Sequence, residues 1–394
     1  MKNVNSSYKI LDPDNCAMCG MCLNNCPTYE ITKNESESPR GRISIIHGLN
    51  DEMLEPSESA LKHLNSCTLC MACESICPAK VNFYDLMTNA RNKYFNNQTL
   101  IFKIKTILIS SFLKNTFLKN IASTIIKLLN KEFLSSINKK MFRFMNYIQT
   151  HEKNYIEIIP KIKSNNKIGI FTGCATDLFQ KNVANSCVRI LEKNKINFEI
   201  IKNVKCCGSI DFNSGRLKNG IKFNKSIVKE FKKEKYKKVI GYASGCSAFI
   251  NKHNKDSNYQ DATSYIINLL ENTKKENFKI TRKNVCIHAP CTTNSANIDF
   301  QKLIYILKKI PGINILTFKD KYCCGAGAQN LIHNKENSRE ILKPKIEYLK
   351  SNDIDYLLTY NIGCSLNFID SLNLNNKKDI KVIHPISFIN ERLV

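Results

Sequence analysis

The stretch KIGIFTGC, residues 167–174, reads as a short apolar β-strand that ends at a glycine and a cysteine. Three later stretches have the same form: KKVIGYASGC (237–246), NVCIHAPC (284–291) and DYLLTYNIGC (355–364). Segments with polar faces and helical spacing separate them, and this alternation is typical of α/β units with a parallel sheet. In such sheets, sites form beyond the carboxyl ends of the strands, which is where all four cysteines fall.

These four cysteines belong to an internal repeat. A CCG triplet lies inside each half, VKCCGSI at 204–210 and KYCCGAG at 321–327. The first set is Cys174, Cys206, Cys207 and Cys246, and the second set, 117 or 118 residues later, is Cys291, Cys323, Cys324 and Cys364. Such closely matched spacing in two sets predicts a duplicated structural unit.

Three interpretations of the two sets compete. A disulfide between the neighbouring cysteines of a triplet would close a small, strained and easily reduced ring. Core cysteines would have to match across the repeat by accident. Four soft thiolates suit Zn²⁺ or an iron–sulfur cluster, so we favour a metal site in at least one half and leave the metal open. Gly208 and Gly325 fit a bulky site, because glycine lets the backbone approach closely.

The N-terminal region carries two further cysteine runs, CAMCGMCLNNCP (16–27) and CTLCMACESICP (67–78). Both match C-x₂-C-x₂-C-x₃-C-P, in which three thiolates hold one [4Fe–4S] cubane and the fourth reaches the other cluster. We therefore assign cluster one to Cys16, Cys19, Cys22 and Cys77, and cluster two to Cys67, Cys70, Cys73 and Cys26. The alternative is a zinc ribbon, which would need only two CxxC pairs and not two complete four-cysteine runs.

Composition limits the other classes of function. The chain has 394 residues, 43% hydrophobic and 24% charged, enough for two or three globular domains. Its net charge of +25 would suit nucleic acid, but Lys is spread evenly, Trp is absent and no basic–aromatic patch is visible. A basic nucleic-acid-binding protein with structural clusters is therefore the weaker hypothesis.

Eighteen cysteines, without a secretory signal or an apolar run long enough to span a membrane, predict a cytoplasmic metalloprotein. We also find no GxGxxG motif after a strand. We therefore expect no flavin or nicotinamide site on this chain, and we expect the two-electron donor to lie on another one.

Cysteine distribution suggests four segments: a two-cluster ferredoxin-type domain (1–95), a helical linker or docking segment (96–165) and two CCG α/β repeats (166–284 and 285–394). The linker predicts two or three amphipathic helices with interspersed Lys. They would form a layer against neighbouring domains, or a face for a membrane or partner subunit made by Phe102, Leu113, Phe117, Phe142 and Phe144.

A ferredoxin segment followed by tandem CCG domains resembles the iron–sulfur subunits of glycolate oxidase, of anaerobic glycerol-3-phosphate dehydrogenase and of heterodisulfide reductase relatives. Finer matches favour the glycolate oxidase family, and they fall in the N-terminal cysteine runs and in the two CCG repeats. They are CGMCLNNCPTYE, ESPRGRISII, HLNSCTLCMACESICPAKV, CCGSIDFN, ASGCSAFI, HAPCTT, CCGAGA and TYNIGC.

The resemblance implies an electron-transfer subunit with no catalytic residue of its own. FAD on partner subunits would oxidise glycolate to glyoxylate, and electrons would pass through the two clusters toward quinone on the inner face of the cytoplasmic membrane. The alternatives are the iron–sulfur subunit of a lactate or glycerol-3-phosphate dehydrogenase, or a self-contained reductase whose CCG site is catalytic.

One departure from the heterodisulfide reductase pattern concerns the ends of both repeats. Those relatives end each CCG domain in CxxC, whereas this chain reads CSAF and CSLN, so the fifth thiolate of a non-cubane cluster is missing. Either Arg40 or Arg42 of PRGR contacts a cluster loop or a partner, or the stretch forms a surface turn. His288 is a weak candidate ligand, and we expect Cys187, Cys286 and His384 to be structural.

Overall fold

A computed structural model describes residues 15–115, 117–118, 121, 167–201, 206–233, 236–318, 323–327, 329–377 and 379–394. Contacts between residues divide the chain into two compact units. Unit 1 comprises Met1–Leu108, Gly208–Lys222 and Asp320–Lys345, and unit 2 comprises Ile109–Cys207, Phe223–Lys319 and Ile346–Val394. The four segments inferred from the cysteine distribution remain a prediction.

Unit 1 is built from short helices around the two N-terminal cysteine runs. Its helices are Pro27–Thr32, Pro39–Asn50, Glu58–Ser66, Ala72–Ser75, Phe83–Lys93, Ser209–Asn213 and Asn330–His333, with 3₁₀ turns at Leu23–Asn25 and Glu35–Glu37. Ser38 starts the PRGR helix, because its hydroxyl accepts a hydrogen bond from the Gly41 N–H at 2.9 Å and proline follows it. Apolar side chains such as Ile46, Leu64 and Met87 form the core.

Unit 2 contains two four-stranded parallel sheets. The strands are β1 (Ile168–Phe171), β2 (Phe198–Ile200), β3 (Lys238–Gly241), β4 (Tyr259–Asp261), β5 (Lys283–Ile287), β6 (Ile313–Thr317), β7 (Tyr356–Leu358) and β8 (Lys381–Ile383). Their orders are β2-β1-β3-β4 and β6-β5-β7-β8, so each sheet repeats the topology of the other. Ile168 aligns with Phe198 and Lys238, and Val285 aligns with Ile315 and Tyr356.

Helices connect these strands. Those of unit 2 are Cys174–Phe179, Lys181–Lys193, Ser244–His253, Ala262–Leu269, Phe300–Leu307, Ile362–Leu374 and Pro385–Arg392, with a 3₁₀ turn at Lys275–Asn277. Helices Leu100–Lys114, Leu217–Lys233 and Lys335–Ser351 continue from one unit into the other. One core, including Ile170, Ile240, Val285 and Leu358, joins both sheets of unit 2. The predicted α/β class and the duplicated parallel sheets are confirmed.

The predicted amphipathic linker is described mainly for the helix Leu100–Lys114. Phe102 and Leu113 are half-buried and Phe117 is exposed, whereas Phe142 and Phe144 lie outside the described residues. In the part of the chain that the structure describes, no helix has the length and apolarity that a bilayer crossing requires.

Candidate iron–sulfur centres

The loop predicted to hold most of cluster one lies at the protein surface. Cys19 is exposed, Cys16 and Cys22 are half-buried, and the Met18 and Met21 side chains are 42% and 57% exposed. Arg40 contacts this loop, because its guanidinium donates to the Met18 carbonyl at 3.1 Å while also pairing with Glu35 at 2.6 Å. The loop that carries Cys16, Cys19 and Cys22 is therefore open to an approaching partner.

The predicted ligands of cluster two come together below the surface. Cys26, Cys67 and Cys73 are buried, and Cys70 is half-buried. Burial raises the pKa of Cys73 strongly, and the neighbouring Cys70, Cys67 and Cys26 thiols raise it further. The Cys26 thiol of the first run thus acts on the same pKa as thiols of the second run, while the assignment of these four cysteines to cluster two stays a prediction.

These buried thiols have the donor chemistry of a metal centre. Burial also raises the pKa of Cys67, since a lone thiolate is poorly solvated there. A metal holds its cysteine ligands in the thiolate form, so a cluster would resolve the conflict between burial and charge. The donor set of four thiolates on two tight loops therefore fits an iron–sulfur cubane.

Arg42 lies within a hydrogen-bonded network beside Cys26. Its guanidinium, 1% exposed, pairs with Glu37 at 2.6 Å and donates to the Ser66 hydroxyl and the His63 carbonyl. It also approaches the Cys26 sulfur at 4.0 Å. Glu37 also lies 2.7 Å from the His63 ring, so this one carboxylate contacts both Arg42 and His63.

Arg91 is a second buried cation beside Cys67, and it was not anticipated from the sequence. It is 2% exposed and donates to backbone carbonyls of Leu64 at 2.8 Å, Cys67 at 2.7 Å and Asn213 at 2.9 Å. Burial lowers the pKa of Arg91 to about 10, and the nearby Cys67 opposes that change. Among the described residues, Arg91 forms no salt bridge with Asp or Glu.

Cluster two also meets the second CCG triplet within unit 1. A hydrogen bond between the Cys70 and Cys323 thiols is the largest cause of a strongly raised Cys70 pKa. The backbone approaches closely here, since a Cβ on Gly327 would lie 2.5 Å from the Thr68 carbonyl oxygen. Asn330 fixes the contact by donating to the Ser66 carbonyl at 3.0 Å. A predicted cluster ligand and a CCG cysteine are thus direct neighbours.

The first CCG set lies in unit 2. Cys207 and Cys246 lie with their sulfurs 3.1 Å apart, and Cys246 is in the first turn of the helix Ser244–His253. Cys174 begins the helix Cys174–Phe179, after the adjacent strand β1. Cys174 and Cys206 are buried, and a Cβ on Gly173 would lie 4.0 Å from the Cys246 sulfur.

A buried polar chain flanks that thiol pair. The Ser247 hydroxyl donates to the Asp261 carboxylate at 2.6 Å and lies 3.0 Å from the Tyr259 hydroxyl. Burial raises the pKa of Asp261 to about 6, while its hydrogen bonds lower it. Burial also raises the pKa of Tyr259, with smaller contributions from Asp261, Cys246 and Cys207.

The second CCG set has different surroundings. Cys291 is exposed, whereas Cys364 is buried in the first turn of Ile362–Leu374, where Asn361 accepts from the Gly363 N–H at 3.0 Å. Within unit 2, the His288 ring and the Cys364 sulfur offer ligand atoms within 4.8 Å of each other. Cys323 and Cys324 are buried and belong to unit 1.

The glycine of each triplet has a backbone role. Gly208 has φ +91° and Gly325 has φ +75°, both in the left-handed region. A Cβ on Gly208 would collide with the Gly220 carbonyl, and one on Gly325 with the Ser338 carbonyl. The contact that requires glycine is therefore the backbone of a nearby helix, Leu217–Lys233 for Gly208 and Lys335–Ser351 for Gly325.

The residues expected to be structural are buried in unit 2. Cys187 and Cys286 are 0% exposed and form part of the packed interior. His384 caps the helix Pro385–Arg392 through Ile386, and its Nε2 lies 3.1 Å from the Tyr242 carbonyl. Asp261 also caps a helix through Thr263, and the pattern Asp-x-Thr could have indicated it, whereas nothing in NARNKY distinguishes Arg91.

Family models match the chain in three places. Residues 12–81 match a 4Fe-4S dicluster domain, and residues 168–251 and 285–369 each match a cysteine-rich domain. The chain is therefore an iron–sulfur protein that joins a dicluster domain to a tandem pair of cysteine-rich domains.

The chain is similar over most of its length to glycolate oxidase iron-sulfur subunits. It is 26% identical to a probable one from Bacillus subtilis, over 89% of this chain and 87% of the relative. It is 24% identical to one from Escherichia coli, over 89% and 88%. Lactate utilization protein A of Oceanobacillus iheyensis is 27% identical, over 57% of this chain and 96% of that protein. The resemblance inferred from the motifs is confirmed.

Proposed function

We propose that this chain is the electron-transferring subunit of a glycolate-oxidising complex. FAD on a partner subunit would remove two electrons from glycolate, and this chain would pass them on singly toward a quinone. Its similarity to glycolate oxidase iron-sulfur subunits along nearly their full length supports the substrate. The observation that carries the electron-transfer role is the grouping of Cys26 with Cys67, Cys70 and Cys73.

Each part of unit 1 has a separate task in this proposal. [4Fe–4S] clusters accept and release single electrons when bound. Cys16, Cys19, Cys22 and Cys77 would hold one, and Cys67, Cys70, Cys73 and Cys26 would hold the other. The exposed first loop leaves room for the flavin-containing partner, and the second loop, with Cys67 and Cys73 buried and Cys70 half-buried, is less open to water.

Dye reduction by the purified complex tests the substrate. Glycolate should support turnover well above that with D-lactate or glycerol-3-phosphate. Turnover with D-lactate alone would reject glycolate and favour the lactate relatives. Turnover by the isolated chain, without flavin subunits, would instead identify a self-contained reductase.

We infer that the helix Leu100–Lys114 docks this subunit on an anionic lipid surface. Its outward side chains are apolar, with Leu100, Ile101 and Leu108 exposed at 69%, 68% and 63%. The helix carries lysines but no Asp or Glu. Its buried side is partly polar, since Thr106 lies 3.0 Å from the ring of His333. Exposed apolar residues flanked by lysines favour anionic lipid over a neutral surface.

Vesicle flotation tests this docking surface. The chain should bind vesicles containing phosphatidylserine and not those of phosphatidylcholine alone, and the double variant Ile101→Glu and Leu108→Glu should remain unbound. Ile280→Glu, at a position 75% exposed elsewhere, is the matched control and should bind normally. Equal binding of the double variant, or occupation of the face by the flavin subunit alone, would contradict lipid docking.

A further inference from the structure

The two predicted cluster sites differ in the charge that surrounds them. Arg40, the arginine that contacts the cluster one loop, is 33% exposed in its side chain and pairs with Glu35. Arg42 and Arg91, the arginines of cluster two, are at most 2% exposed. Water screens a charge at the surface far more than one in the interior. The buried arginines therefore interact more strongly with the cluster two site than Arg40 does with the cluster one site.

Burial raises the pKa of Cys67, and both buried arginines lower it, Arg42 more than Arg91. They differ in their partners, since Arg42 has Glu37 as an ion-pair partner. Arg91 instead donates to neutral carbonyls, including that of Cys67, the first ligand of the second run. Burying an uncompensated guanidinium is costly unless negative charge lies close by. Four thiolates holding an iron–sulfur cluster would supply that charge.

We propose that Arg91 makes cluster two the easier of the two clusters to reduce, and so biases electrons from the exposed site to the buried one. Reduction adds one negative charge to a cluster, and a nearby buried cation favours the more negative state. The bias leads toward the second CCG triplet, because the backbone of that segment lies against the cluster two loop, where a Cβ on Gly327 would be 2.5 Å from the Thr68 carbonyl oxygen. This inference rests on the ligand assignment in the proposed function, but not on glycolate as the substrate.

A purely structural role for Arg91 predicts different behaviour. Its hydrogen bonds hold the turn at Leu64–Cys67, so losing them would lower the melting temperature and iron retention. A lysine keeps the positive charge but lacks the planar array of donors. Arg91→Lys therefore separates charge from hydrogen bonding.

Redox titration of the isolated holo-chain, followed by EPR, tests the proposal. Arg91→Gln should lower the higher of the two midpoint potentials by about 60 mV, a tenfold change in the reduction equilibrium of a one-electron couple. The Arg91→Lys variant should keep most of the wild-type value of that potential, even if this variant melts at a lower temperature than the wild type. Lys93→Gln removes an exposed charge from the same helix and should leave both potentials unchanged.

A second variant keeps the test decisive if Arg91→Gln loses iron. Cys19→Ser alters only the exposed run and should disturb the lower-potential signal. The proposal is overturned if Cys19→Ser changes the higher-potential signal. It is also overturned if Arg91→Gln and Arg91→Lys each shift the potentials of the two clusters by the same amount. Potentials are measured without substrate, so failure of the glycolate assay would leave this result intact.

Discussion

The two cysteine-rich repeats share strand order and cysteine spacing, yet their thiols have different neighbours. In the first repeat, Cys207 faces Cys246 at 3.1 Å inside unit 2. In the second, Cys323, which matches Cys206 in the first repeat, lies beside the predicted cluster ligand Cys70 inside unit 1. The strand order is thus duplicated, and in the second repeat the triplet segment also lies against a predicted cluster loop.

A single position shows how this divergence arises. Phe171 at the end of β1 corresponds in the repeat to His288, which follows β5. Both side chains are 2% exposed, but the ring of His288 brings a nitrogen close to Cys364. The position that holds the apolar Phe171 in the first repeat thus holds the candidate ligand His288 in the second. Equal cysteine spacing does not imply equal sites.

The largest expected effect comes from breaking the contact between the second triplet and cluster two. Cys323→Ser should alter the EPR signal of one cluster and slow electron transfer through the complex by about 10- to 100-fold, as loss of a group that contacts a ligand typically does. Cys206→Ser, at the matching position of the first repeat, is the control and should leave that signal unchanged. Identical spectra for both variants would show that the repeats do not differ in this way.

Replacing His288 should affect metal binding in the second repeat alone. His288→Phe introduces the residue that the first repeat already has, so packing should be tolerated, while affinity for metal beyond the two clusters should fall about 10- to 100-fold. Metal analysis after dialysis measures the change, with Phe171→His as the reciprocal variant. Unchanged metal content in His288→Phe would exclude the imidazole as a ligand.

The sequence predicted the scaffold well because the relevant signals are local. Four apolar runs ending in cysteine gave the strands β1, β3, β5 and β7, and the equal spacing gave the duplication. The contact between Cys70 and Cys323 joins residues far apart in the chain, and no spacing rule encodes it. Arg91 was missed for the same reason, since its carbonyl partners lie on other segments.

Two helix caps extend the comparison to pH. Asp261 is the last residue of β4 and His384 directly follows β8, and each caps the next helix. Burial lowers the pKa of His384 to about 3, whereas it raises the pKa of Asp261 to about 6. As the pH falls, the contributions of these two side chains to the free energy of unfolding should therefore change in opposite directions.

His384 should stabilise the protein above its unfolded pKa of about 6.5 and lose that contribution as the pH falls. The unfolded chain binds the proton first, so roughly 2 kcal/mol should be lost between pH 7.5 and 5. His384→Asn keeps a capping side chain and removes the titration. Chemical unfolding of both proteins at several pH values measures the difference, and parallel curves would contradict this assignment.

Asp261 should have the smaller and opposite effect. Its folded pKa lies above the usual value of about 3.9, so its favourable contribution is complete below that value and is lost as the pH rises through about 6. Between pH 5 and 7.5 the wild type should lose roughly 1 kcal/mol relative to Asp261→Asn. Asparagine can still accept from the Thr263 N–H, so the cap is kept. If Asp261→Asn gains no stability relative to the wild type as the pH rises, the Asp261 carboxylate is ionised without cost. The two caps then do not contribute pH dependences of opposite sign.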